Sequence, residues 1–279
     1  IREEVETLGN IAYVRHSIDT EDKFYEGEQE FLDENMPLFT EVVVKYYGAL
    51  VNSKYRSELE KIWGKHLFNL AELELKTFSP EVIEDLIKEN KLVSEYDKLV
   101  ASAKIMFDGE ERNLSQMQPF MQSKNRDIRK NAYEAYISFF SENEDKFDEI
   151  YDQLVKVRDG IAKKLGFKNF VELGYARMSR TDYNAEMVAN YRKQVYEDLV
   201  PVVAELKDRQ RKRLGLDELK YYDEPLEFTT GNAIPKGDPD WILENGKRMY
   251  GELSPETHEF FSFMVERELM DLVSKKGKM

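Results

Sequence analysis

The sequence predicts a mainly α-helical chain, a lobe built of many helices with one small β-hairpin near residues 103–114. Three observations carry that expectation. Apolar residues recur at three and four positions through most of the 279 residues, the spacing of helices with one buried stripe. Helix starts and stops are written in Ser-Pro-Glu and Leu-Gly-apolar tripeptides, and a single Asp-Gly turn stands between two short runs that break the helical period.

Taken in order, the period reads from Leu59, Ile62 and Trp63 to Leu70 and Leu73, and again from Leu92, Tyr96 and Leu99 to Ala103. Ser79-Pro80-Glu81 places a capping hydroxyl before a proline at the first helical position, with a carboxylate near the positive end of the helix dipole. Phe107-Asp108-Gly109-Glu110 carries the dipeptide of a tight hairpin turn. One stripe runs Ile128, Ala132, Ala135, Tyr136, Phe139, Phe140, and the next runs Phe147, Ile150, Tyr151, Leu154, Val157, Ile161, Leu165. Between them Ser141 and Glu144 read as a capping box that divides the two helices.

Leu165-Gly166-Phe167 and Leu214-Gly215-Leu216 read as glycine stops with an apolar residue folding back. They leave helices near 142–165 and 184–214, the second striped by Val188, Tyr191, Val195, Leu199, Val202 and Leu206. Leu219 to Pro239, rich in Pro and Gly, reads as a loop with extended segments. Ser254-Pro255-Glu256 then opens a last helix over 255–272.

Composition limits function. Lys and Arg number 41 against 55 Asp and Glu, a net charge of -14 spread along the chain, which predicts a well-solvated surface. Nucleic acid is disfavoured as a partner, because phosphate neutralisation needs a local cationic excess and the best cluster, Lys207 to Arg213, holds Asp208 inside it. No apolar run approaches the roughly 20 residues of a membrane-spanning helix. With no cysteine, disulfides, thiol nucleophiles and thiolate metal sites are excluded, and a reducing compartment, the cytoplasm, is the expected home.

The three histidines, His16, His66 and His258, are the candidates for metal chemistry. His258-Glu259-Phe260-Phe261-Ser262 matches His-Glu-x-x-His at two of its three defining positions, but Ser262 stands where the second imidazole must be, and a neutral hydroxyl is a poor zinc ligand. With Phe260, Phe261, Phe263 and Met264 around it, the segment reads as core. A di-iron bundle would need Glu-x-x-His pairs, and Tyr13, Trp63 and Pro255 occupy the positions three before each histidine. His16 and His66 read as packing residues. No Gly-x-Ser-x-Gly elbow, phosphate loop or dinucleotide fingerprint is present. The pairs Tyr46-Tyr47, Phe139-Phe140, Tyr221-Tyr222 and Phe260-Phe261 could line a peptide channel, though aromatic residues at helical spacing usually pack. The site assignment from sequence is therefore no catalytic residue, no metal ligand and an unknown set of substrate-binding residues.

The run from Leu154 to Met178, ending Gly174-Tyr-Ala-Arg-Met178 and followed by Ser-Arg-Thr-Asp-Tyr183, resembles a signature of the oligoendopeptidase F branch of the thimet oligopeptidase-like zinc metallopeptidases. Tyr13 to Thr20, Ser94 to Arg112 and Leu219 to Pro225 echo the same family. The resemblance implies the helical lobe of an oligopeptidase fold, with short peptides as substrates, a deep channel between two lobes, and a zinc-activated water attacking the peptide carbonyl. It also implies that the His-Glu-x-x-His motif, absent here, lies beyond a segment like Asp271 to Met279. On that reading the chain is an N-terminal part, with residues 1–141 an N-terminal helical lobe and 142–279 the helices leading into a truncated catalytic lobe. Zinc belongs to the complete enzyme and not to this segment, which is expected to be inactive alone and to self-associate through its bare apolar stripes. The start at Ile1, within a helical pattern, is expected to be a trimmed or processed one. The alternative reading is a non-catalytic helical peptide-binding or adaptor protein, with a purely structural bundle behind it.

Overall fold

The computed structural model describes residues 2–262. The expected run of the last helix to residue 272, the core reading of Phe263 and Met264, and the segment Asp271 to Met279 lie outside the described residues.

In chain order the helices are α1 (Arg2–Ile18), α2 (Lys23–Val51), α3 (Arg56–Trp63), α4 (Lys65–Thr77), α5 (Ile83–Ala101), α6 (Leu114–Met121), α7 (Arg126–Glu142), α8 (Glu144–Lys164), α9 (Phe170–Arg177), α10 (Ala185–Gln194), α11 (Val200–Arg213), α12 (Pro239–Leu253) and α13 (Pro255–Ser262). A two-stranded antiparallel ribbon, β1 (Ile105–Phe107) with β2 (Glu110–Arg112), lies between α5 and α6. The chain divides into two compact units, Ile1–Glu26 with Thr230–Met279, and Gly27–Thr229.

In the larger unit α5 lies along α8, and α9 folds back on α8. Their shared core is Val82, Leu92, Val157, Ile161, Ala162 and Leu173, with Leu86, Leu154, Phe167 and Phe170 packed around it. Leu92, Leu154, Val157 and Ile161 are positions the 3.6-residue period singles out, whereas Tyr151 of the same stripe is 71% exposed and Val82, Ala162 and Leu173 join the core from outside it. A second core joins the ribbon to the α6–α7 pair through Ile105, Met117, Met121 and Ala132. The ribbon turns at Asp108 (φ 53°) and Gly109 (φ 81°), two positive φ values in succession, as the primed hairpin turn demands. Phe107 then pairs with Glu110 and Ile105 with Arg112.

Both predicted glycine stops are built. Gly166 (φ 85°) lets Phe167 N–H reach Ala162 O at 2.9 Å and its own N–H reach Lys163 O at 3.1 Å. Gly215 (φ 68°) repeats the geometry, with Leu216 donating to Arg211 O at 3.1 Å. Nothing lies within 4 Å of a Cβ added at Gly166, so Gly166→Ala is opposed by the backbone alone. Urea unfolding is expected to show a loss of about 1–2 kcal/mol. Unchanged or higher stability would contradict this account of the stop.

Three local expectations fail. Ser79 does not cap with its hydroxyl, because Val82 N–H is taken by the Ser79 carbonyl at 3.1 Å; a single 3₁₀ turn, Pro80–Val82, forms and α5 begins after it. The Ser141–Glu144 capping box does not form either. α7 runs on through Glu142 and breaks at Asn143, whose side-chain amide donates back to Phe139 O at 2.8 Å while its carbonyl opens α8. The predicted helix near 184–214 is present, but Val195–Leu199 is a π turn in which Val200 N–H reaches Val195 O. Pro201 explains it: a proline has no N–H for an α-helical bond and its ring collides with the preceding turn.

In the smaller unit α12 and α13 form a hairpin. Asp238 caps α12 by accepting from Trp241 N–H at 2.8 Å, and Ser254 accepts from Thr257 N–H at 3.1 Å, so the second Ser-Pro-Glu start is realised.

Candidate functional site

His258 and its neighbour Phe261 pack against α12. A Cβ added at Gly251 would lie 3.1 Å from His258 Cδ2, and one at Gly246 would lie 2.9 Å from Phe261 Cζ. Two glycines of α12 thus receive the imidazole and the phenyl ring of α13, and Phe261 also stacks on Tyr250 with ring centroids 4.6 Å apart. The face that carries residues 258 and 262 in a zinc peptidase helix is here turned against a neighbouring helix. His258→Ala in the complete polypeptide should leave any turnover within a few-fold of the parent and cost at most about 1–2 kcal/mol of hairpin packing; a rate loss of a thousandfold in a folded variant would show the imidazole to be catalytic. His16 is buried on α1 and His66 is exposed at the start of α4. Among the described residues no three His, Cys, Asp or Glu side chains converge as metal ligands do.

The aromatic pairs mostly pack. Phe139 and Phe140 meet Phe147 across the α7–α8 break at 6.3 and 5.4 Å, and Tyr221 lies between Tyr133 and Tyr222 at 5.6 and 5.1 Å. Tyr46 on α2 and Tyr221 are nevertheless exposed, and so is Phe260 on α13, against the core reading of that residue.

The stretch from Leu154 to Met178 makes a charge node. Glu89 of α5 is buried and accepts from Arg158 Nε at 2.6 Å and from Arg177 Nη1 at 2.9 Å. Both guanidiniums also lie over the Phe170 ring, at 5.7 and 5.9 Å. One carboxylate from α5 therefore ties α8 to α9. Just after α9 the chain passes through Ser179 at φ 56°, where Arg180 N–H closes on Tyr175 O at 3.2 Å. That turn sets the Arg180 guanidinium 4.3 Å from the Tyr175 ring and 5.2 Å from Tyr183, a cation held between two aromatic faces.

Leu219 to Pro225 makes the second node. Asp223 is 0% exposed and accepts from Arg126 Nη2 at 2.7 Å, Arg126 Nε at 3.0 Å, Arg129 Nη2 at 2.7 Å and Lys220 N–H at 3.1 Å. Arg129, 2% exposed, donates further to Tyr222 O, Ser123 O and Lys124 O. Burial by itself pushes the Asp223 carboxyl upward, but the two guanidiniums and the Lys220 N–H outweigh it and hold the group below the usual carboxylate range. Gln210 of α11 completes the anchorage by donating to Glu224 O and Leu226 O at 2.9 and 2.8 Å.

Residues 1–78 match the peptidase M3 N-terminal domain, and residues 119–227 match peptidase family M3. Among solved structures, PZ peptidase A with an inhibitor is 63% identical with a TM-score of 0.93, over 96% of this chain and 48% of its own. The chain belongs to the peptidase M3 family. An oligoendopeptidase F from Bacillus anthracis str. Ames is 60% identical with a TM-score of 0.91, over 96% of this chain and 49% of its own. Among curated relatives, oligopeptidase PepF of Bacillus subtilis is 24% identical over 98% of this chain and 43% of its own length. Probable cytosolic oligopeptidase A of Arabidopsis thaliana is 30% identical over 38% of this chain and 16% of its own. The chain spans less than half the length of each of these relatives.

Both charge nodes fall on stretches where the M3 resemblance is read, 154–178 and 219–225. What those stretches build in this M3 chain is cohesion: a core, a Glu89 tie and an Asp223 clamp. The resemblance points to them as segments, but the pairing partners are distant in sequence and no local signal names them.

Proposed function

We propose that this chain is the N-terminal region of a zinc-dependent oligoendopeptidase that hydrolyses short peptides in a deep channel. The observation that carries the reading is the 63% identity and TM-score of 0.93 to PZ peptidase A over nearly the whole chain. In this reading residues 1–141 are an N-terminal helical lobe and 142–279 lead into the catalytic lobe. α5 packs on α8 across that division, so the two parts share a core. Substrates would be oligopeptides, and the cytoplasm would be the working compartment.

No described group of side chains fits a zinc ion, so no step is derived through the metal. The contribution of these residues is a rigid wall: the Glu89 and Asp223 nodes fix helices and a loop against which the reacting half can be held in one geometry, as positioning at about the ångström level requires. The test is a quenched-fluorescent oligopeptide assay on the complete natural polypeptide, with and without a chelator, together with its coding sequence past Met279. Chelator-sensitive turnover and a downstream His-Glu-x-x-His support the reading. A reading frame that ends at Met279, or a complete polypeptide with no turnover, sinks it.

A further inference from the structure

A cleft of about 680 Å³ lies in the 27–229 unit, between the end of α4 and the glycine stop of α8. Its size is within the roughly 300–1,000 Å³ of small-ligand sites. Leu75 and Phe78 line it from the α4 side, and Leu165 and Phe167 from the α8 side. Phe78 is buried and the other three are half-buried. Ser79 belongs to the same lining, and its hydroxyl is buried without a hydrogen-bond partner, the group that the Pro80–Val82 turn leaves idle. A buried hydroxyl without a partner is costly, and a ligand that supplies one recovers that cost. Two charges complete the lining. Lys76 and Glu81 are both exposed, and neither makes an ion pair or a side-chain hydrogen bond among the described residues. The remaining charge, Lys164, is taken by Asp85, and Glu81 acts on it only at longer range.

We infer that this cleft binds a short apolar peptide with both ends free, a dipeptide in its zwitterionic form. Lys76 takes the carboxylate and Glu81 the ammonium, the Ser79 hydroxyl pairs with the peptide group between them, and the apolar walls receive the two side chains. One unpaired charge of each sign beside apolar surface is what such a ligand complements. A fatty acid would leave Glu81 unmatched, and an uncharged apolar molecule would leave both charges so. The choice of a dipeptide rests on the peptidase reading above, since peptide hydrolysis ends in molecules of this kind, and the cleft then takes up what the reaction releases.

The test is calorimetric titration of the complete natural polypeptide, kept in a chelator so that no peptide is cleaved, with leucyl-phenylalanine, its N-acetyl form and its C-terminal amide. Lys76→Met is expected to weaken the free and the acetylated peptide about three- to fivefold, the worth of an exposed ion pair, and to leave the amide unchanged. Glu81→Gln is expected to weaken the free peptide and the amide by the same factor and to leave the acetylated one unchanged. Both positions are exposed, so both variants should fold, and the peptide that each leaves unchanged checks this within the same titration. No saturable binding of the free dipeptide at millimolar concentration overturns the inference. Binding that neither substitution moves places the ligand elsewhere and overturns it too, as do equal losses for all three peptides. Turnover without chelator is scored separately. A polypeptide that shows the two-ended pattern and hydrolyses nothing sinks the peptidase reading alone; one that hydrolyses peptides without the pattern sinks this inference alone.

Discussion

Replacing Asp223 by Ala is expected to lower the stability of the 27–229 unit by about 3–5 kcal/mol, the range for removing one partner of a buried ion pair. Asp223 is the only carboxylate that the buried Arg129 reaches among the described residues; the remaining Arg129 bonds go to backbone carbonyls. Without Asp223 the guanidinium keeps its charge and has no anion to offset it. Arg126, 42% exposed at its side chain, can turn to water, so Arg126→Met should cost clearly less than Arg129→Met. Chemical denaturation followed by circular dichroism decides this, and equal effects of the two arginine variants would mean that the node is not buried as described. The pH dependence follows from the lowered Asp223 value. A carboxylate depressed in the folded state contributes its full stabilisation above its unfolded value, and loses it as pH falls through the folded one. The wild-type chain should therefore weaken on the acid side, below the ordinary carboxylate range of about 4, and Asp223→Asn should flatten that limb.

Ile161→Ala is expected to cost about 2–5 kcal/mol, against about 0.5–1.5 kcal/mol for Ile161→Val. Ile161 is 0% exposed and sits with Val82, Leu92 and Leu173 where three helices meet. Truncation leaves a cavity that close-packed neighbours refill only in part. A loss below about 1 kcal/mol for the alanine variant would mean that the site collapses freely and that the core is loosely packed. The prediction bears on the Leu154 to Met178 stretch: if its apolar members serve packing, their cost should appear in stability measurements and not in substrate affinity.

Much of the fold is legible before any coordinates. The helical period from Phe147 to Leu165 needs only one buried face, and Gly166 and Gly215 need only a left-handed residue after a helix, so local sequence decides both. Asp108-Gly109 decides the ribbon in the same way. The failures come where two local solutions compete. Ser79 could cap with its hydroxyl or its carbonyl, and the carbonyl won; Ser141 lost to Asn143, whose amide reached back one turn. The period drew one uninterrupted helix over 184–214 because it took no account of Pro201, where the ladder widens into a π turn. The nodes were illegible for a different reason. Asp223 and Glu89 look like any of 55 acidic residues until the fold brings them to arginines many tens of residues away.

That separation has a consequence in time. Asp223 lies 94 and 97 residues beyond the arginines it clamps, with α8, α9, α10 and α11 in between. The entropy of closing so long a loop falls once those helices have formed and packed. The clamp is therefore expected to form after the folding barrier has been crossed. Asp223→Asn should leave the refolding limb of a denaturant chevron almost unmoved and steepen the loss on the unfolding side, with nearly all of the stability change appearing in the unfolding rate. A slowed refolding limb would place the clamp in the nucleus instead. As a late latch, its worth to the molecule would be counted in lifetime: it adds little to the speed with which the wall is built and much to how long the wall stands.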